Sequence, residues 1–210
     1  MRSDAIIHKM NEFYSTKLRT HGATPQGVDL NSVEAQVLRF EQLLKVCNPD
    51  GCFSINDYGC GYGALAEWMS ARGFAFRYRG FDICEEMIAD AKRLYGSMEN
   101  CEFFTQESEL GEADYTVASG IFNLKFGLTD GDWLAYMLSI IGRMAALSRR
   151  GFAFNALTKY SDPERMRADL YYADPCFLFD YCKKNFSRQV ALLHDYPLWD
   201  FTILVRKVAD

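Results

Sequence analysis

The stretch Asp57-Tyr58-Gly59-Cys60-Gly61-Tyr62-Gly63 carries the clearest chemical signal in this sequence. An apolar run over residues 52–56 precedes it and reads as a short buried strand. A helix pattern over residues 64–71 follows. Glycines at such a strand-to-helix turn permit tight backbone and let a ligand lie against the main chain at the carboxyl end of the strand. A ligand with a ribose then wants an acid at the end of the next strand. Asp82, in Gly80-Phe81-Asp82-Ile83, stands there. Strand, glycine turn, helix and second acid together point to a nucleoside-type ligand.

Two ligand classes fit the turn. Gly59-x-Gly61-x-x-Ala64 satisfies the dinucleotide fingerprint. Asp57 argues the other way, because a carboxylate before the glycines would repel a pyrophosphate and suit a ligand bearing an ammonium and a sulfonium.

The elements that must position these residues follow from periodicity. Ile6, Ile7, Met10, Phe13, Tyr14 and Leu18 fall at helical spacing, and Gly22 closes that helix. A second helix is expected from about Asn31, with Glu34 as its capping-box partner, ending before Asn48-Pro49-Asp50-Gly51. Beyond it strands are expected over 52–56, 74–81, 101–105, 115–119 and 151–156. Helices are expected over 64–71, 85–95, 132–147 and 174–185, the last opened by Asp174-Pro175. Only residues 106–113 separate the third and fourth strands, too few for an ordinary crossover helix. Either a single turn joins them or one of the two strands is misplaced. Two last runs, 190–194 and 200–206, are linked too briefly for a parallel pair, so the sheet ends in an antiparallel hairpin. The dinucleotide fold has no such hairpin. The alternation gives an α/β fold with a mostly parallel sheet and helices on both faces.

On these features residues 53–206 resemble the class I S-adenosylmethionine-dependent methyltransferases. Asp57-x-Gly59-x-Gly61-x-Gly63 matches that family's first motif, Asp82 its second-strand acid, and Phe81-Asp82-Ile83-x-x-x-Met87-Ile88 the surrounding segment. The resemblance implies a Rossmann-like seven-stranded sheet of order 3-2-1-4-5-7-6. Residues 1–50 would be a helical cap and 51–210 the core of one overall domain. It implies S-adenosylmethionine as methyl donor and S-adenosylhomocysteine as product. Asp57 and the backbone at Gly59 would hold the methionine ammonium, and Gly61 and Gly63 would leave room for the ligand. Cys60 and Met87 fall inside the matched segments and join this set. Asp82 would bind the ribose, Ile83 would pack on the adenine, and Gln106 or Glu107 would meet the adenine amine. Ser119 and Gly120 would flank the methionine moiety. From the leading helices, Tyr14, Lys17 and Arg39 are candidates to reach the ligand carboxylate.

A sulfonium methyl needs an acceptor lined up in line and water excluded. A hydroxyl or amine acceptor also needs proton removal. His194, expected at the carboxyl edge, or His21, in the loop before Pro25, is the candidate base or acceptor-binding group. The long connection 159–175, with Tyr160, Arg165, Arg167, Tyr171 and Tyr172, is a candidate cover for the acceptor. Phe122 and Phe126 are candidate pocket walls. Two other readings remain open: a protein that binds the donor without catalysis, and an NAD-dependent oxidoreductase.

The totals narrow the partners. A chain of 210 residues with 49% hydrophobic and 24% charged residues is globular. A net charge of −5 and no basic block argue against nucleic acid. No apolar run reaches membrane-spanning length, and no signal peptide is visible. Seven scattered cysteines without a C-x-x-C pair or a histidine cluster imply reduced thiols, a cytoplasmic setting and no metal. A small-molecule acceptor is expected, with the chain a monomer or a homodimer.

Overall fold

The computed structural model describes residues 2–48 and 50–207; Pro49, part of the expected stop after the second helix, lies outside the described residues. Seven strands form one sheet of order β3-β2-β1-β4-β5-β7-β6, as expected. They are β1 (Phe53–Tyr58), β2 (Phe76–Phe81), β3 (Cys101–Phe104), β4 (Ala113–Ala118), β5 (Ser148–Leu157), β6 (Gln189–Leu193) and β7 (Asp200–Arg206). The chain divides into two compact units, residues 1–41 with 49–111, and residues 42–48 with 112–210.

In the first unit β1, β2 and β3 pair in parallel, with Asp57 opposite Gly80 and Ile55 opposite Tyr78. Strand β1 is buried along almost its whole length, which is how a strand inside a covered parallel sheet reads. Helices α1 (Arg2–His21), α3 (Ala64–Ala71) and α4 (Glu85–Tyr95) belong to this unit. The α1 helix ends as the sequence predicts: Gly22 turns left-handed and its amide donates to the Leu18 carbonyl at 2.7 Å. A 3-10 turn, Pro25–Val28, occupies the expected loop, with the Thr24 side chain accepting from the Gly27 amide. Helix α2 (Val33–Leu44) starts slightly later than Asn31 because Ser32 caps it, its hydroxyl accepting from the Ala35 amide at 3.2 Å. Between β3 and β4 there is one 3-10 turn, Glu107–Glu109, which settles the two readings of that short link.

In the second unit β4 runs parallel to β5, and β7 runs antiparallel to both β5 and β6. Strand β6 is therefore parallel to β5, and Leu193 and Leu157 end at the same edge. Helix α5 (Asp130–Ala146) packs on β4 and β5, and α6 (Pro175–Asn185) on β6 and β7. The core here is aromatic. Phe122 meets Phe154 edge-on at 5.7 Å, Phe152 meets Phe186 at 5.4 Å, and buried Trp133 donates to the Phe122 carbonyl at 2.9 Å. Strand β5 begins at Ser148, ahead of the expected 151. Exposed Arg149 and Arg150 hide its start from an apolar pattern.

Asp174 caps α6 as the sequence implies. Its carboxylate accepts from the Cys176 and Phe177 amides at 2.9 and 3.2 Å, and Lys159 pairs with it at 2.7 Å. Asp174→Ala is expected to cost about 1 kcal/mol of stability, read as a lower urea midpoint with an unchanged slope.

Candidate functional site

The glycine turn is fixed from below by β2. The amides of Gly59 and Cys60 both donate to the Phe81 carbonyl, at 2.7 and 2.9 Å. Gly59, Gly61 and Gly63 all have positive φ, a region that L side chains rarely adopt. The space beside two of them is filled by the chain itself. A Cβ on residue 61 would stand 2.8 Å from Val28 Cγ1, and one on residue 63 would stand 2.9 Å from Phe103 Cε1. Cys60 is buried, with its Sγ close to the face of Gly80.

Two carboxyl groups stand at this turn. Asp57 ends β1, is 3% exposed, and accepts a hydrogen bond from the Tyr78 hydroxyl at 2.7 Å. Asp82 follows β2; its Oδ2 accepts from the Gly61 amide and its Oδ1 from the Cys84 amide, each at 2.9 Å. Burial pushes the Asp57 carboxyl up to about 7; the Tyr78 hydroxyl opposes this and the neighbouring Asp82 adds to it. Burial also raises Asp82, against the pull of the Cys84 and Gly61 amides. Among the described residues, the groups that shift these two carboxyls include no Lys or Arg. A buried acid beside a half-buried one, with no counter-cation among the described residues, is costly to ionise, and a cationic ligand would offset that cost.

The other expected donor-site residues of the first unit sit around this centre. Ile83 is half-buried, and its carbonyl accepts from Asn11 at 3.3 Å. Met87 is a core residue, packed in one cluster with Leu18, Tyr62 and Cys84, against which Tyr14 and Val28 lie. Lys17 pairs with Asp29 at 2.7 Å. Arg39 is buried, with Nη1 donating to the Ala35 carbonyl at 3.3 Å. Gln106 is exposed, whereas Glu107 accepts from the Tyr58 hydroxyl at 2.8 Å. The α1 helix is clamped to α4 by an Arg19–Glu86 ion pair and a Ser15–Cys84 contact at 3.4 Å. His21 is exposed at the end of α1.

In the second unit, Ser119 and Gly120 follow β4. The Gly120 amide donates to Asn155 Oδ1 at 2.7 Å, while Asn155 Nδ2 and the Ser119 hydroxyl are buried without hydrogen-bond partners. The segment 159–175 is tied down. Leu124 bridges Leu170, Thr158 bridges Ala173, and the Tyr171 amide donates to the Asn123 carbonyl at 2.7 Å. The Thr158 amide donates to the Trp199 carbonyl at 3.0 Å, which joins the β6–β7 link to the end of β5. His194 is exposed and lies against the rings of Tyr160 and Phe201, with centroids 6.0 and 6.2 Å away. Of the two proposed walls, Phe122 is fully buried and Phe126 half-buried.

Comparison with known proteins decides between the ligand classes. A family described as a methyltransferase domain matches residues 55–144. The Mycobacterium tuberculosis protein named "Putative methyltransferase Rv1506c" is 50% identical over 166 residues, which is 79% of this chain and 100% of that protein. The chain belongs to the class I S-adenosylmethionine-dependent methyltransferases. Solved structures agree in fold. The N-methyltransferase NodS from Bradyrhizobium japonicum, in complex with S-adenosylhomocysteine, superposes with a TM-score of 0.64 at 15% identity. The match covers 93% of this chain and 97% of that one. Magnesium protoporphyrin IX methyltransferase from Synechocystis gives 0.57 at 17% identity, covering 80% of each chain. Among the described residues no helix is long and apolar enough to cross a membrane, and no group of metal-ligating side chains is found.

The methyltransferase donor is a cationic adenosyl amino acid, and the residues at the turn fit it. The acids at Asp57 and Asp82 suit its positive charge. Each Asp82 oxygen, already holding one amide, keeps a second lone pair for a ribose hydroxyl. Sequence reasoning missed Tyr78 and Asn155. Tyr78 gives no local signal, since its partner lies on another strand. Asn155 does, as a polar break in the apolar run of β5.

The Asp57 environment predicts a pH-dependent stability. Between about pH 4 and 7 the unfolded chain ionises this group while the folded protein keeps it protonated, so a penalty to folding builds up and is complete above pH 7. Asp57→Asn removes it and keeps an oxygen for Tyr78. Without donor, the variant is expected to be more stable than the parent at pH 8, by on the order of 2 kcal/mol, with the gain fading towards pH 4. Denaturant titrations across this range check it.

Proposed function

We propose that this methyltransferase binds S-adenosylmethionine at the glycine turn and transfers its methyl group to a small-molecule acceptor. The observation that carries the reading is a pair of carboxyls at the turn, Asp57 buried and Asp82 half-buried, both raised by desolvation and with no Lys or Arg among the described groups that shift them. Asp57 and the Gly59 backbone hold the ammonium, Asp82 takes the ribose hydroxyls, and Ile83 packs on the adenine beside Glu107 or Gln106. Ser119 and Gly120 take the methionine part. Residues 1–50 act as a helical cap, in which α1 and Val28 pack against α4 and the turn and so keep water out. The bound donor supplies an electrophilic methyl on a sulfonium, so the protein's task is orientation and water exclusion more than activation.

The acceptor side belongs to the second unit. The segments after β4 and β5 and the β6–β7 link are tied to one another, so they present a fixed surface. Exposed Tyr160 and Trp199 accompany His194 there. His194, exposed at the end of β6 beside Tyr160, is the histidine of this surface that takes a proton from a hydroxyl or amine acceptor; His21 is the alternative at the end of α1.

Calorimetry at pH 8 tests the donor step. S-adenosylmethionine and S-adenosylhomocysteine are expected to give heat and NADH none, and Asp82→Ala is expected to bind at least about tenfold more weakly, about 1.4 kcal/mol. Heat with NADH alone would reverse the assignment. Turnover to S-adenosylhomocysteine over a metabolite panel tests catalysis, and His194→Ala is expected to lower kcat by about a hundredfold with a hydroxyl or amine acceptor. Donor binding with no turnover on any metabolite would favour a protein that binds the donor without catalysis.

A further inference from the structure

Tyr78 stands behind Asp57 in a way that a core tyrosine need not. It is 1% exposed and sits on β2 opposite Ile55, two residues short of the position opposite Asp57 and on the same face of the sheet. Its ring runs along β2 past Gly80, the residue opposite Asp57. A Cβ at position 80 would lie 2.9 Å from Tyr78 Cε1, 2.9 Å from Phe103 Cδ1 and 2.8 Å from Cys60 Sγ. The missing side chain at Gly80 is what lets the ring lie down. Phe103 holds it from the other side, with ring centroids 5.6 Å apart. So seated, the hydroxyl donates to Asp57 Oδ2 at 2.7 Å.

We propose that Tyr78, laid over Gly80, is a positioning residue for the methyl donor: it holds Oδ2 of Asp57 and presents Oδ1 to the donor's cationic amino group. The proposal rests on the donor reading above and adds the residue that prepares the carboxylate for it. A phenol that donates to a buried carboxylate stabilises the ionised form, which is the form an ammonium needs. The other groups facing Asp57 all work against ionisation or leave it alone. Asp82, after β2, repels it; Cys60, in the turn, is a neutral thiol raised by burial; Cys101, on β3, acts on Tyr78 and is likewise raised. Removing the hydroxyl therefore leaves only burial and repulsion.

The test is S-adenosylhomocysteine affinity, measured by calorimetry from pH 5.5 to 9 on the full chain. The parent is expected to bind well at high pH and to weaken as Asp57 takes up a proton. In Tyr78→Phe that weakening is expected to begin about one pH unit higher. The variant would then bind about tenfold more weakly than the parent at pH 6 and within about twofold of it at pH 9. Adding Tyr78→Phe to Asp57→Asn is expected to change nothing further with pH. A loss that is equal at pH 6 and pH 9 would mean that Tyr78 only packs, and overturns the proposal while leaving donor binding intact. No binding by the parent at any pH would instead remove the donor reading, and this proposal with it. Should Tyr78→Phe not fold, 3,5-difluorotyrosine placed at position 78 keeps the shape and strengthens the donated hydrogen bond. It is expected to move the onset of weakening to lower pH, and an unmoved profile overturns the proposal.

Discussion

The first unit is organised around two desolvated carboxyl groups at neighbouring strand ends, Asp57 buried and Asp82 half-buried. Water would stabilise their charge, and folding removes it. What replaces water is specific: a phenol for Asp57, and two backbone amides for Asp82. These donors compensate partly, and burial still dominates at both groups. Ionising these carboxyls is therefore costly without a ligand, and the proposed donor, with its fixed positive charge, would offset that cost. Dinucleotide phosphates would add to it.

The same region shows why its glycines are of two kinds. At Gly61 and Gly63 the backbone needs positive φ, and the space where a side chain would stand belongs to Val28 and Phe103. At Gly80 the backbone is ordinary, and the absent side chain makes room for the Tyr78 ring. A glycine-rich motif is usually read as space left for a ligand. Here much of that space is used by the protein to bring the cap and β3 against the turn. In the proposed donor site, what is left for the ligand is the half-buried backbone at Gly59 and the two carboxyls beside it.

The legible part of this protein is the part whose physics is local. Strand, turn, helix and acid follow one another in sequence, so residues 53–82 carry the signal of the fold's first half and of the proposed donor site, and the short β6–β7 link dictates an antiparallel hairpin. Errors came at element ends, where the deciding contact is a cap. Ser32 rather than Asn31 starts α2, and Thr129 caps α5 ahead of the expected Asp132. The Lys17–Asp29 pair was invisible because both side chains look solvated in sequence, yet the structure commits Lys17 to the cap's own turn. Tyr78 was invisible for the opposite reason, since an aromatic in an apolar strand looks like core and its hydroxyl finds its partner on another strand.

The acceptor side was harder to read, and the cause is physical. Its geometry is set by contacts between segments far apart in the chain. Asn155 on β5 holds the Gly120 amide after β4. It lies opposite Thr202 on β7, whose hydroxyl is within 2.9 Å of the Tyr196 hydroxyl. Gly120, Asn155 and Thr202 lie 35 or more residues apart in sequence, and each alone is an ordinary residue of a strand or turn. A donor of fixed structure can be recognised by a short motif, because every enzyme that uses it faces the same charges. An acceptor differs from enzyme to enzyme, so its recognition is spread over loops that carry no shared signature. In this chain those loops are pinned by backbone hydrogen bonds rather than left free. On the proposed reading, specificity for the acceptor comes from the side chains that this frame holds outward, Tyr160, His194 and Trp199 among them, and far less from any ordering of the loops on binding.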